Sequence, residues 1–232
     1  MATLALIHGA WHGGWCWNLL VDELTRRGHR CLAPNLPGDE PTATWDTYAE
    51  VVVAALAGVD DPVLVGHSTG ALTIPLVALR RPVKLLVYLC PSTPIATPLP
   101  NSPPSFHEGA LDALKIDEFG RDWWPPDDAV RYMYRRLDPA LAKWAAARLR
   151  PDANPPGGYP LQAPPRLPSR YIYASEDEIF TPESRRWVAR NIFGVEPTEV
   201  QGGHFPMLES PSDLADLLVA SLQASVEGVA AS

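Results

Sequence analysis

The chain has 232 residues, of which 46% are apolar and 20% charged, and its formal net charge at pH 7 is −8. This length and composition are those of one soluble globular domain, and no apolar run reaches the ~18–20 residues that span a membrane. The negative charge argues against nucleic acid as a partner. The first strand is expected almost at Met1 with no signal peptide before it, which predicts a cytoplasmic location.

Strand and helix patterns alternate along the chain, which predicts an α/β fold with a mostly parallel sheet of about six strands flanked by helices. Strands are predicted at Thr3–Ile7, Arg30–Ala33, Pro62–Val65, Lys84–Leu89, Arg170–Ala174 and Val195–Val200. Helices are predicted near Gly14–Arg27, Thr44–Ala57, Thr69–Leu79, Pro182–Asn191 and Ser212–Ser225.

Two turns at strand ends contain candidate catalytic groups. The third strand runs into Gly66-His67-Ser68-Thr69-Gly70 and then directly into an apolar helix, which is the context of a nucleophile elbow around Ser68. The first strand ends in His8-Gly9-Ala10-Trp11. We expect the backbone N–H groups of Ala10 and Thr69 to form an oxyanion hole, and Gly9 to let the backbone approach a substrate without a Cβ clash.

Residues 92–168 interrupt the alternation. The segment is rich in proline and aromatic residues, and its one clear helix candidate is Asp138–Leu149. We predict an α/β core formed by residues 1–91 and 169–232, with 92–168 inserted as a helical lid that excludes water and shapes the substrate site. Trp123 is our candidate for a pocket wall, whereas the lid aromatics could instead form a small core of the lid itself.

The later strands are followed by an acid and a histidine. Ser169–Ala174 precedes Ser175-Glu176-Asp177-Glu178, and Gly202-Gly203-His204-Phe205 follows the last predicted strand. An elbow serine needs a base, and that base needs an orienting acid. The chain order Ser68, Asp177, His204 is the one typical of such elbows.

The neighbouring candidates are given lesser roles. Glu176 and Glu178 are expected to face solvent or a basic group. His67 is adjacent to Ser68 in sequence, so its side chain is expected to point away from the nucleophile and to pack. His8 could also be mistaken for the base, and His12 is expected to brace the glycine-rich turn.

Three segments carry a family resemblance: Leu6–Trp17, Asp177–Pro182 and Gly202–Leu208. They resemble the plant methylesterase and hydroxynitrile lyase branch of the α/β-hydrolases. The resemblance implies the α/β-hydrolase fold, a triad of Ser68, Asp177 and His204, and oxyanion donors at Ala10 and Thr69. Gly9, Trp11, Phe205 and Trp123 are then expected to contact the substrate.

The lyases of this branch differ at two positions. They have a threonine where this chain has Gly9 and a lysine where it has Phe205, and those two residues handle the cyanohydrin hydroxyl and the departing cyanide. Their absence here favours ester hydrolysis over cyanohydrin cleavage.

The expected function is that of a serine hydrolase that cleaves a carboxylic ester of a small apolar or aromatic molecule through an acyl-enzyme. No cofactor or metal is expected, because Cys16, Cys31 and Cys90 have no metal-ligand spacing. One alternative is a lyase or cyclase that uses the same triad on a biosynthetic intermediate, for example of polyketide type. Another is a binding or receptor protein with a vestigial triad. The sequence does not specify the oligomeric state.

Overall fold

A computed structural model of the chain describes residues 1–96 and 99–230, the last seven of them by their backbone only. Six parallel strands form the main sheet, as predicted. The strands of the described residues are β1 (Thr3–Ile7), β2 (Arg30–Leu32), β3 (Val63–His67), β4 (Leu85–Leu89), β5 (Lys115–Ile116), β6 (Asp122–Trp123), β7 (Ser169–Ala174) and β8 (Thr198–Val200). Their order in the main sheet is β2-β1-β3-β4-β7-β8, and β5 and β6 form a separate antiparallel pair.

Helices lie at every predicted place, and two further ones, Pro126–Tyr132 and Pro206–Glu209, were not predicted. The helices are α1 (Asn18–Arg26), α2 (Trp45–Ala55), α3 (Gly70–Ala78), α4 (Pro126–Tyr132), α5 (Pro139–Ala146), α6 (Pro182–Val188), α7 (Pro206–Glu209) and α8 (Pro211–Ala230). Thr44 caps α2 and Thr181 caps α6, each through its side-chain oxygen. Such caps satisfy backbone N–H groups that have no partner inside the helix.

Some boundaries differ from the prediction. A 3₁₀ turn, Gly14–Trp17, replaces the first turn of the helix expected from Gly14. The last strand begins at Thr198 instead of Val195. Pro197 lacks a backbone N–H for the sheet ladder, and the left-handed Gly194 (φ 66°) has just ended the preceding helical segment.

The core consists of two apolar layers, one on each face of the sheet. Successive strand side chains point to opposite faces, so Leu4 and Leu6 pack with α1 and α8, whereas Ala5 and Ile7 pack with α2 and α3. Both faces of β3 are therefore covered, and all five of its residues are buried. This burial explains the continuous apolar run that precedes Ser68.

The segment between β4 and β7 packs on the sheet edge and contains β5, β6, α4 and α5. Several of its side chains belong to the same apolar cluster as the strands, among them Trp124, Met133 and Tyr134. These side chains are part of the main core and do not form a separate one. Within residues 1–96 and 99–230, no helix has both the length and the apolar character needed to span a membrane.

The parallel topology positions the candidate site. The carboxyl ends of β1, β3, β7 and β8 lie at one edge of the sheet. The turns that follow these strands carry Ala10, Ser68, Asp177 and His204. Such an edge is where open α/β sheets bind their ligands.

Candidate active site

Ser68 lies at a sharp turn between β3 and α3. Its φ is 51°, in the left-handed region that non-glycine residues seldom adopt. Helix and strand are so close that glycine is needed on both sides. A Cβ on Gly66 would lie 2.7 Å from the carbonyl oxygen of Gly70, and a Cβ on Gly70 would lie 2.4 Å from that of Ile7. The strand, the two glycines and the helix together form the predicted nucleophile elbow.

His204 and Asp177 form a buried pair. His204 Nδ1 donates a hydrogen bond to Asp177 Oδ2 at 2.7 Å. Asp177 Oδ1 accepts hydrogen bonds from the backbone N–H groups of Ile179 and Phe180, each at 2.8 Å, which holds the carboxylate in place. Since Nδ1 carries the proton, Nε2 has the lone pair that a base requires. Neither Ser68 Oγ nor His204 Nε2 forms a hydrogen bond to another described residue, and such bonds are often loose before substrate binds.

Two backbone N–H groups are available beside Ser68. Ala10 and Thr69 line the same cavity as the serine, and neither donates its N–H to another described residue. The turn that carries Ala10 is close to the nucleophile, because a Cβ on Gly9 would lie only 2.8 Å from Ser68 Cβ. This arrangement matches the geometry of an oxyanion hole, in which donors point to where negative charge develops.

Two buried histidines brace the turn after β1. His8 Nδ1 donates to the carbonyl of Gly9 at 2.8 Å, and His12 Nδ1 donates to that of Ala10 at 2.7 Å. His12 Nε2 accepts from the Tyr134 hydroxyl at 2.7 Å, which ties the turn to the inserted segment. Burial lowers the pKa of His8 to about 4 and that of His12 to about 3, so both rings stay neutral and each keeps one donor and one acceptor nitrogen.

The backbone of His204 is held from both sides. Its N–H donates to Glu178 Oε2 at 2.9 Å, and its carbonyl accepts from His67 Nε2 at 2.8 Å. Burial, followed by the proximity of His204, lowers the pKa of His67 well below its usual value. His67 therefore packs away from Ser68 as expected, and it positions the candidate base.

Of the two surroundings expected for Glu178, solvent or a basic group, the structure shows the second. Glu178 is buried beneath the turn that carries His204, and its carboxylate accepts the hydrogen bond from the backbone N–H of His204. Burial raises its pKa above the usual range. Arg135 Nε lies 3.6 Å from Glu178 Oε1, so a basic neighbour is present as well. Glu176 behaves as predicted and pairs with Arg136 at the surface.

One group of side chains has metal-ligand proximity. The ligand atoms of Cys90, Asp177 and His204 all lie within 4.8 Å of one another. A metal-bound cysteine has to be a thiolate, whereas burial raises the pKa of the Cys90 thiol well above its usual value. His204 Nδ1 would also have to give up its bond to Asp177. These groups therefore fit an acid–base pair better than a metal site.

A cavity of about 170 Å³ adjoins Ser68. Trp11 forms part of its wall, as predicted. Its other walls come from the inserted segment and from the turn after β7, and the residues that line it are Ala10, Trp11, Ser68, Thr69, Ser92, Phe106, Leu111, Leu114, Asp122, Asn154, Ile179 and Phe180.

The structure places three expected substrate-contacting residues, Gly9, Trp123 and Phe205, outside this lining. Gly9 lies against Ser68 and His67 and supports the turn that carries Ala10. Trp123 lies in β6, half-buried and paired with Lys115. Phe205 is buried against the rings of His12 and Tyr134, with ring centroids 4.8 and 5.1 Å away. Phe205 thus packs behind the base and does not contact the cavity, because the backbone turn directs its ring toward the core.

Sequence reasoning missed most of the apolar wall. Ile179 and Phe180 directly follow Asp177, so their position next to the acid was a usable signal. Phe106, Leu111 and Leu114 lie in a segment without periodic structure, and their arrival at the cavity depends on tertiary packing.

Comparisons with known proteins agree with this fold. The model of the alpha/beta hydrolase family matches residues 4–217. The carbendazim hydrolyzing esterase of Nocardioides sp. (strain SG-4G) is 36% identical over 137 residues, which cover 48% of this chain and 57% of that esterase. Methylesterase 2 of Arabidopsis thaliana is 25% identical over 250 residues, covering 93% of this chain and 94% of the plant protein.

A solved structure shows the same fold over the whole length. The pyrethroid hydrolase of Sphingobium faniae JZ-2 superimposes with a TM-score of 0.77 at 23% identity, covering 97% of this chain and 99% of that chain. With the family match over most of its length, the chain belongs to the alpha/beta hydrolase family.

Proposed function

We propose that the protein is a carboxylesterase that hydrolyses a small ester through a Ser68 acyl-enzyme. The observation that carries the proposal is the 2.7 Å bond from His204 Nδ1 to Asp177, which leaves Nε2 as a base at the sheet edge that bears Ser68. Similarity to proteins named as esterases supports the same activity.

In the proposed reaction, His204 Nε2 removes the proton of Ser68 Oγ as this oxygen attacks the ester carbonyl. The carbonyl oxygen becomes an oxyanion, which accepts hydrogen bonds from the N–H groups of Ala10 and Thr69. Asp177 stabilises the imidazolium and keeps the tautomer. His204 then protonates the leaving alcohol, and a water molecule, activated by the same base, releases the acid and restores the Ser68 hydroxyl.

The cavity walls indicate the kind of ester. A space of about 170 Å³ lined by Trp11, Phe106 and Leu111 suits a small apolar or aromatic group. We take residues 92–168 as the lid that supplies much of this wall and excludes water during the reaction. The reaction steps use only side chains and backbone groups of this chain, and the expected partner is the small-molecule substrate.

Cyanohydrin cleavage fits these residues poorly. Gly9 has no hydroxyl to hold a substrate oxygen, and the residue after His204 is the buried, uncharged Phe205. A departing cyanide would find no cation at either position. We therefore expect hydrolysis of activated esters and no release of cyanide from mandelonitrile above the uncatalysed rate.

Substitution of Ser68 by alanine tests the proposal. By analogy with another serine hydrolase, the loss in kcat for a p-nitrophenyl ester could reach about 10⁶-fold. Wild type should release a burst of p-nitrophenol and be labelled by a fluorophosphonate at Ser68 alone. A matching thermal unfolding curve is the control for folding. Near-wild-type turnover by Ser68→Ala would exclude the proposed mechanism.

A further inference from the structure

Arg185 of α6 is a buried cation near the candidate site. It is only 1% exposed. Its Nη1 donates to the carbonyl of Pro91 at 2.5 Å, Nε to Ser184 Oγ at 3.2 Å, and Nη2 to Ser105 Oγ at 3.2 Å. The guanidinium carbon also lies 4.5 Å from the centre of the Phe180 ring.

Among the described residues, this cation has no anionic partner. None of the carboxylates that the structure describes forms an ion pair with Arg185. Buried charges are normally paired, because an unpaired one loses its hydration without compensation. A guanidinium has five N–H donors, and the three bonds above use three of them. The Tyr171 hydroxyl is a further neighbour of the guanidinium and accounts for part of this capacity. The rest can serve an anion from outside the protein.

Arg185 borders a cavity of about 330 Å³. Hydroxyl groups are unusually frequent in its wall, which consists of Ser92, Thr93, Leu99, Ser102, Ser105, Phe106, Phe180 and Arg185. A forked cation surrounded by hydroxyl donors is the chemistry that binds carboxylates, often through two parallel hydrogen bonds.

The cavity adjoins the one that contains Ser68. Ser92, Phe106 and Phe180 line both. Ser92 also donates its backbone N–H to the backbone carbonyl of Ser68 at 2.9 Å. Phe106 and Phe180 pack against each other in the shared wall, with ring centroids 5.1 Å apart. A substrate with its ester at Ser68 therefore has to pass this wall to extend a second group toward Arg185.

We propose that Arg185 and the surrounding hydroxyls bind a carboxylate of the substrate, so that the preferred esters are monoesters of dicarboxylic acids. This inference rests on the proposed esterase function for its catalytic part. The competing role for Arg185 is structural, as a tie between α6 and the loop that contains Pro91 and Ser105.

Paired substrates test the preference. The probes are the mono-p-nitrophenyl ester of glutaric acid, which carries a carboxylate, and p-nitrophenyl hexanoate, which is neutral and of similar length. A charge-assisted hydrogen bond changes affinity by roughly 10–100-fold, and we expect kcat/KM of wild type to favour the anionic ester by that factor. Arg185→Gln should bring the ratio close to one, mainly through a higher KM for the anionic ester.

A matched control is available on the same helix. The Arg186 guanidinium lies over the ring of Tyr173, 5.4 Å from its centre, and Arg186 is not among the residues that line either cavity. Arg186→Gln should keep the wild-type preference. Equal preference in Arg185→Gln and Arg186→Gln would assign Arg185 the structural role and overturn the inference.

Binding without catalysis separates this inference from the proposed function. Monomethyl glutarate should raise the unfolding temperature of Ser68→Ala protein, dimethyl glutarate should not, and adding Arg185→Gln should abolish the shift. If Arg185→Gln fails to fold, Ser102→Ala replaces it in this experiment. Undiminished binding of monomethyl glutarate to the Ser102→Ala protein would then contradict the proposed carboxylate site. Binding of monomethyl glutarate without any ester hydrolysis by wild type would reject only the esterase. Hydrolysis of p-nitrophenyl hexanoate, with no preference for the anionic ester and no binding of monomethyl glutarate, would reject only the carboxylate site.

Discussion

The backbone of Ser68 is held in the left-handed region, which a residue with a Cβ does not favour. A non-glycine residue in the left-handed region costs about 1–3 kcal/mol and persists only where the surroundings enforce it. Here the enforcement comes from β3, all of whose residues are buried, and from the close approach of α3 at Gly66 and Gly70. The result is a side chain that points from the sheet edge into a cavity while its backbone remains part of the core.

The acid can be tested at the residue scale with Asp177→Asn. The amide keeps the shape but favours the wrong His204 tautomer, since its NH₂ group cannot accept from Nδ1–H. The corresponding change in a serine protease lowers kcat about 10⁴-fold, and we expect a loss of similar order for p-nitrophenyl esters. Glu176→Gln, which changes an exposed acid in the same loop, is the control. A larger loss of kcat in Glu176→Gln than in Asp177→Asn would show that Asp177 is not the acid that orients His204.

Gly9 makes a second residue-scale prediction. A Cβ at this position would lie 2.8 Å from Ser68 Cβ and 3.3 Å from His67 Nδ1. Gly9→Ala should therefore displace the nucleophile relative to Ala10 and Thr69, and misplacement by about 1 Å can cost 10²-fold in rate. Overpacking should also lower the free energy of unfolding by about 1–3 kcal/mol. Ester kinetics and urea unfolding measure both, and wild-type kcat in Gly9→Ala would contradict this geometry.

At the scale of elements, carboxylates hold the turn that carries the candidate base. Glu209 of α7 accepts from the N–H of Gly203 at 2.9 Å, and Glu178 accepts from that of His204 at the same distance. Arg136, which follows α4, bridges Glu209 and Glu176. The inserted segment therefore connects to the base turn by charge as well as by apolar packing. The position of His204 depends on three separate parts of the chain.

This arrangement predicts different outcomes for two substitutions of Glu178. Glu178→Gln retains an oxygen that can accept from His204 N–H, and burial already disfavours the charge, so kcat should stay within about threefold of wild type. Glu178→Ala leaves a buried N–H without a partner and lets the turn shift, and kcat should fall roughly 10–100-fold with a smaller change in KM.

Glu176→Ala is the matched control for the truncation, because it removes an exposed acid two residues earlier. Its kcat should stay close to that of wild type. An equal loss in Glu178→Gln and Glu178→Ala would mean that the charge, and not the hydrogen bond to His204, is what matters.

At the scale of the whole molecule, three buried neutral histidines couple folding to pH. Burial lowers the pKa of His8 to about 4, that of His12 to about 3, and that of His67 well below its usual value. These groups contribute stability that is fully present above the unfolded-state pKa of about 6.5. It is lost as pH falls toward the native values, since the unfolded chain then binds more protons. Glu178 acts in the opposite sense, because its pKa is raised.

We therefore expect the free energy of unfolding to fall steeply between pH 6.5 and pH 4. One histidine that is protonated only in the unfolded chain contributes about 1.4 kcal/mol per pH unit. Urea unfolding at several pH values measures the slope, and His12→Asn should reduce it by about that amount. A flat profile in wild type would contradict the neutral buried state.

The sequence alone located the strand ends. Apolar runs followed by turn residues are local signals, and parallel strands bring their carboxyl ends to one edge by topology. The positions of Ser68, Asp177 and His204 on one edge follow from those two facts, without any knowledge of packing. The requirement for glycine at positions 66 and 70 also follows from the sequence motif, because only the smallest residue fits where a helix leaves a buried strand so closely.

Tertiary structure alone decided the surroundings of these residues. The burial of Glu178 against His204, the packing of Phe205 away from the cavity, and the burial of Arg185 against Pro91 all arise from contacts between distant parts of the chain. Residues 99–114 have no regular apolar period, so nothing local indicates that Phe106, Leu111 and Leu114 reach the cavity beside Ser68. Local patterns determine where strands end and turns begin, whereas a cavity is formed by whichever surfaces meet when the elements pack.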